Sequence, residues 1–171
     1  MRILVFALML SIPSAPQKAA SILRRACGPH REKYSVTLDA SQHKLPIQQP
    51  GKALIYFAQD FGSESRFEIL GTYITKVGID GQWVGAEKND SWFSVFVAPG
   101  AHYLCVQPQG LFGNGKVTEL LHFTAAPGHV YYFRIRNYTW ITHSLTFHRA
   151  ESNQVLYMIY SSPQSISKPH K

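Results

Sequence analysis

The chain has 171 residues, of which 45% are hydrophobic, 16% charged and 13% aromatic, which excludes a disordered chain and sets one domain as the expectation. Seventeen Lys and Arg against ten Asp and Glu give a net charge of +7, a modest excess that suits acidic polymers or membrane surfaces and equally suits ordinary solubility. No zinc-finger spacing, basic helix or RNA-reading aromatic motif occurs, so no nucleic acid is expected as a partner.

Met1-Arg2 gives a short positive start, Ile3 to Ile12 is apolar apart from Ser11, and Pro13-Ser14-Ala15 breaks the run with small residues. That three-part plan predicts a secretory signal over residues 1–20, and the apolar run is too short for a stable membrane span. Removing it takes Arg2 and Lys18 and leaves a net charge of about +5. No transmembrane segment is expected in the mature chain, which is placed in the periplasm or outside the cell. Arg24 and Arg25 precede Cys27 and argue against a lipobox there. Cys27 and Cys105 form an even pair, and an oxidising compartment predicts a disulfide between them.

Residues 21–50 read as an N-terminal arm and a first strand, Tyr34 to Leu38. A sandwich core is expected over 51–150. Lys52 to Gln59 is apolar on both faces and reads as a central strand. The following acids, Asp60, Glu64 and Glu68, read as loop residues. Thr72 to Ile79 leads through Asp80-Gly81 into Gln82 to Gly85, the short-range signature of a hairpin with a type I′ turn. Asn89-Asp90 marks a second turn before the strand Ser91 to Val97. Pro99-Gly100 turns the chain into Ala101 to Val106, with Gly at the positive-φ position. Val117 to Thr124 and His129 to Arg136 read as a hairpin joined around Pro127-Gly128, and Ser144 to His148 as a further strand. Over 151–171, Val155 to Tyr160 fits either a short helix or a strand, and the Ser- and Pro-rich stretch from Ser161 reads as a fraying tail. The sum is an all-β, antiparallel β-sandwich of about seven to nine strands, immunoglobulin-like or prealbumin-like.

Four pieces of sequence, GKALIYF (Gly51 to Phe57), VGIDGQWVGA (Val77 to Ala86), WFSVFVAPGAHYL (Trp92 to Leu104) and HFTAAPGHVYYFRIR (His122 to Arg136), stand in a distinctive order and spacing. Over about half the chain they resemble the bacterial family called domain of unknown function 2846, and they are similar to PEGA-type modules. The resemblance implies an exported, often envelope-associated β-sandwich. It implies no catalytic residues.

The chemistry-bearing residues point the same way. Eight histidines include no H-x-H pair and no HExxH motif, so no metal ligands and no cofactor are expected. No G-x-S-x-G elbow occurs, and acids are too scarce for a well-supported carboxylate pair. An enzyme is therefore not expected. In His129 to Arg136, strand alternation puts Tyr131, Phe133 and Ile135 on a core face and Val130, Tyr132, Arg134 and Arg136 on the other. With Trp140, the residues Tyr132, Arg134 and Arg136 form the candidate binding face. The expected function is a non-catalytic envelope or periplasmic module that binds a protein or polymer. A carbohydrate or anionic-glycan module is the alternative, and an exported hydrolase a more distant one.

Overall fold

The computed structural model describes residues 25–41, 45–61, 74–109, 118–138 and 144–170. The expected signal segment and Trp140 lie outside them. Among the described residues ten strands form two sheets: β1 (Tyr34–Asp39), β2 (Ala53–Phe61), β3 (Ile74–Ile79), β4 (Gln82–Lys88), β5 (Ser91–Val97), β6 (Gly100–Gln109), β7 (Glu119–Ala125), β8 (Val130–Tyr138), β9 (Ser144–Arg149) and β10 (Gln164–Pro169), with a helix, α1 (Ser152–Ser161), before β10. A six-stranded sheet has the order β1-β10-β5-β2-β8-β9 and faces a four-stranded sheet of order β4-β3-β6-β7.

β2 is central, as its two-sided apolarity requires, between β5 and β8. Its inward side chains Ala53, Ile55 and Phe57 are fully buried, and the Phe57 ring stacks on Phe93, Phe133 and Phe147 at centroid distances of 5.2, 5.7 and 6.3 Å. Val77, Leu104, Val106 and Phe123 from the other sheet complete this core. Burying rings of this size contributes on the order of 2 kcal/mol each relative to exposure.

Asp80 and Gly81 take φ of 51° and 84°, the two left-handed positions a type I′ turn demands, and β3 and β4 form the expected hairpin. Asp80 does more than turn. Its Oδ1 accepts the Tyr103 N–H at 2.9 Å, and its Oδ2 lies 2.6 Å from Nδ1 of His102, whose Nε2 contacts the Ala98 carbonyl at 2.7 Å. The hairpin is thereby tied to the start of β6.

Two expectations about the chain's course are corrected. The Pro127-Gly128 turn does not join a hairpin: β7 lies in one sheet and β8 in the other. The Gly128 N–H donates to the Lys52 carbonyl and the Leu54 N–H to that of His129, so the chain leaves this turn alongside β2 in parallel register. Proline offers no N–H to a ladder, which suits the crossing between sheets. The sandwich is consequently not wholly antiparallel. Pro99-Gly100 likewise carries the chain from β5 to the other sheet. Of the two alternatives for Val155 to Tyr160 the helix is the one formed, with Val155 and Ile159 one turn apart and buried. Second, the stretch from Ser161 does not fray but forms β10, antiparallel to β1. Ser167 Oγ accepts the Ala86 N–H at 3.1 Å and Ser165 Oγ the Lys88 N–H at 3.2 Å. These hydroxyls satisfy the edge of β4 that would otherwise invite another strand.

The N-terminal arm is held on the outer face of the smaller sheet. Cys27 and Cys105 are bonded, with Cα atoms 5.2 Å apart across a separation of 78 residues. Trp83 Nε1 donates to the Pro29 carbonyl at 2.8 Å, and Lys76 Nζ donates to the Glu32 carbonyl at 2.9 Å while lying 4.1 Å from the Trp83 ring centroid. Burial pulls the Lys76 ammonium below its ordinary value, and the Glu32 charge partly opposes that. Gly28 and Gly78 are glycines because of this contact: a Cβ on Gly28 would lie 2.3 Å from Trp83 Cδ1, and one on Gly78 2.8 Å from the Ala26 carbonyl oxygen. The Gln109 side-chain amide then pairs with both backbone groups of Tyr34, at 2.7 and 2.8 Å, as a neighbouring strand would.

Candidate functional site

The strand alternation read from the sequence is the alternation in the fold. Tyr131, Phe133 and Ile135 are buried in the core, while Tyr132, Arg134 and Arg136 project from the outer face of the larger sheet. The parallel register of β2 against β8 sets their neighbours: Tyr56 faces Tyr132, Ala58 faces Arg134 and Asp60 faces Arg136. Tyr56 and Tyr132 stack with centroids 5.5 Å apart and planes 8° from parallel. Burial, with the neighbouring Tyr132 and Tyr160 phenols, pushes the Tyr56 hydroxyl up to about 12.

Helix α1 lies across this face. Val155 and Ile159 pack on Leu54, Tyr56, Ala58 and the fully buried Trp92. Trp92 Nε1 donates to the Ser162 carbonyl at 3.2 Å, and its backbone N–H to that of Pro163 at 3.3 Å, so the helix is pinned at its end. The helix covers the tyrosine part of the face and lies beside the charged part, where the Arg134 and Asp60 side chains are partly exposed.

There Asp60 is the organising residue. Its Oδ1 accepts from Arg134 Nε at 3.0 Å, its Oδ2 pairs with Arg134 Nη2, and Arg136 Nε lies 3.5 Å from the same oxygen. Placing Asp60 in a loop was wrong, because β2 continues to Phe61. The signal was the row Tyr56, Ala58, Asp60 at period two, which the switch to polar residues concealed. The two arginines thus form a compensated cluster rather than a bare cationic face.

Between this cluster and α1 opens a groove of about 540 Å³, lined by Asp60, Asp90, Arg134, Gln154, Tyr157, Met158 and Ser161 to Pro163. Tyr157 stands on its helical wall, 75% exposed. Comparison of the chain with models of protein families, with curated proteins and with solved structures returns no match. The groove must therefore be interpreted from its own chemistry. Sequence reasoning singled out Arg134 and missed Asp60, which the β2–β8 register brings beside it, Asp90, and Gln154 and Tyr157, which reach the groove through the packing of α1. Tyr132 stacks on Tyr56 beneath the helix side and does not line it.

A second polar cluster lies inside the sandwich. Gln59, Thr75, Glu87 and Asn137 are buried, with Thr75 opposite Glu87 on paired strands and Asn137 Nδ2 donating to Thr75 Oγ1 at 3.3 Å across the sheets. Gln59 Nε2 is committed to the Asn89 carbonyl at 2.8 Å. Among the described residues, both Glu87 oxygens and Gln59 Oε1 lack a hydrogen-bond partner, and burial raises the Glu87 carboxyl well above its ordinary value. Among the described residues, no three His, Cys, Asp or Glu side chains gather as metal ligands, and no helix is long and apolar enough to cross a membrane.

Proposed function

We propose that the chain is an exported, non-catalytic β-sandwich module of the bacterial envelope or periplasm, and that it docks a partner in the groove beside α1. The observation that carries this reading is the groove itself, lined both by the exposed Tyr157 and by a fixed Asp60–Arg134 pair. An aromatic wall opposite a few fixed polar groups is the usual make-up of a binding site. Export is supported by the signal-like start and by the disulfide, a bond that persists in oxidising compartments. The resemblance to domain of unknown function 2846 supports the envelope setting. A non-catalytic role is supported by the groove's chemistry. Its described lining includes Ser161, Asp60 and Asp90 but no histidine, and Asp60 is engaged by two guanidinium groups.

The test expresses the full chain in a bacterium and fractionates it. The mature protein should leave the cytoplasm, lose residues near position 20 by N-terminal sequencing, and co-sediment with envelope material. Tyr157→Ala combined with Gln154→Ala should abolish co-sedimentation while leaving the fold intact, since both side chains are exposed. Retention of the unprocessed chain in the cytoplasm would contradict the export reading. Undiminished co-sedimentation of the variant would contradict the groove.

A further inference from the structure

We infer that the groove takes a neutral oligosaccharide, its sugar ring against Tyr157 and its hydroxyls on the Asp60–Arg134 pair and Gln154. This rests on reading the groove as the docking site and goes further by naming what docks.

Charge decides against a polyanion. Arg134 and Arg136 both pair with Asp60, and Asp90 adds a second carboxylate to the groove. An anionic polymer would have to compete with a carboxylate already in place on the arginines. Topology decides against an extended peptide. Peptides that lie on a sheet take their affinity from an unpaired strand edge. Here β2 and β8, the strands that carry Asp60 and Arg134, each lie between hydrogen-bonded neighbours on both sides, so their main chain offers a peptide no open edge. Size suits a small ligand, because a concavity of about 540 Å³ falls within the roughly 300–1,000 Å³ of sites that take small molecules.

What remains fits a polyol. A planar guanidinium–carboxylate pair fixes donors and acceptors side by side without presenting net charge, which is what adjacent hydroxyls match. The Gln154 amide supplies one of each kind from the opposite wall. Ser161, also in the lining, donates its Oγ–H to the Tyr157 carbonyl at 2.8 Å, and a hydroxyl so engaged can still accept. Tyr157 is 75% exposed on the groove wall, and the C–H face of a sugar ring is positively polarised against the negative face of an aromatic ring.

The experiment is isothermal titration calorimetry on the mature, oxidised protein. The probes are chitotetraose, maltotetraose and xylotetraose as neutral saccharides, and polygalacturonate as a polyanion. At least one neutral probe should bind. Tyr157→Ala should weaken it about tenfold, the scale of losing one stacked ring, and Gln154→Ala by a smaller factor. Affinity should stay nearly constant between low and high salt, because no net charge is used. Binding of polygalacturonate alone, collapsing with salt, would overturn the inference, as would absence of heat with every neutral probe. If co-sedimentation with envelope material still depended on Tyr157 in that case, the docking site would stand and only the saccharide would fall. If co-sedimentation ignored Tyr157 as well, both would fall.

Discussion

Glu87 carries a sharp prediction about stability. It sits opposite Thr75 on the inward face of β4, fully buried, with neither oxygen given a hydrogen-bond donor. Burial disfavours the charged form, so the folded protein holds a proton on Glu87 that the unfolded chain releases above the ordinary value of 4.5. In that window the native state binds more protons than the unfolded state. Stability therefore falls as pH rises, by about 1.4 kcal/mol for each pH unit over which Glu87 stays protonated only when folded. Glu87→Gln removes the titration while keeping the shape. Urea denaturation followed by tryptophan fluorescence at several values between pH 4 and pH 8 would measure it. The variant should match the wild type at the acidic end and exceed it increasingly toward neutral pH. Parallel curves for the two proteins, or a variant less stable at neutral pH, would refute the neutral buried acid.

Three other perturbations test the framework. The denatured, unreduced mature protein should titrate with no free thiol, and replacing both Cys27 and Cys105 by Ser should cost up to ~4.5 kcal/mol by the chain-entropy estimate for a loop of 78 residues. Gly28→Ala forces a Cβ to within 2.3 Å of Trp83; it should cost ~1–3 kcal/mol and make the arm a target for limited proteolysis. An unchanged melting curve and cleavage pattern would mean the arm does not pack on Trp83. Asp60→Asn strips Arg134 and Arg136 of their shared counter-charge and should destabilise by ~1–2 kcal/mol, a figure kept low because these side chains are partly solvated. High salt should shrink that difference, and a salt-independent difference would locate the cost elsewhere.

Local patterns carried much of the fold. The two-sided apolarity of β2, the period-two row of β8, the Asp80-Gly81 turn and the even cysteine pair each encode their outcome within a few residues or one count. What escaped depends on distant partners. β10 looked like a tail because its serines resemble linker residues, yet Ser165 and Ser167 act by accepting from Lys88 and Ala86, more than seventy positions earlier. The Pro127-Gly128 turn looked like a hairpin because local chemistry specifies a turn but not which sheet receives the next strand. For the site, Arg134 and Arg136 were legible as a face, but their neutralisation was not, since Asp60 meets them only through the β2–β8 register. The groove's other wall required knowing that α1 is a helix and that Val155 and Ile159 press it onto Trp92.

Site-specific photo-crosslinking tests the docking groove most directly. A photoreactive side chain placed at Gln154, on the groove wall, should yield covalent adducts with envelope material. The same group at Leu120, exposed on β7 in the opposite sheet, should yield none. Equal adducts from both positions, or none from Gln154 while the protein still co-sediments with the envelope, would contradict the groove as the place where this protein meets its partner.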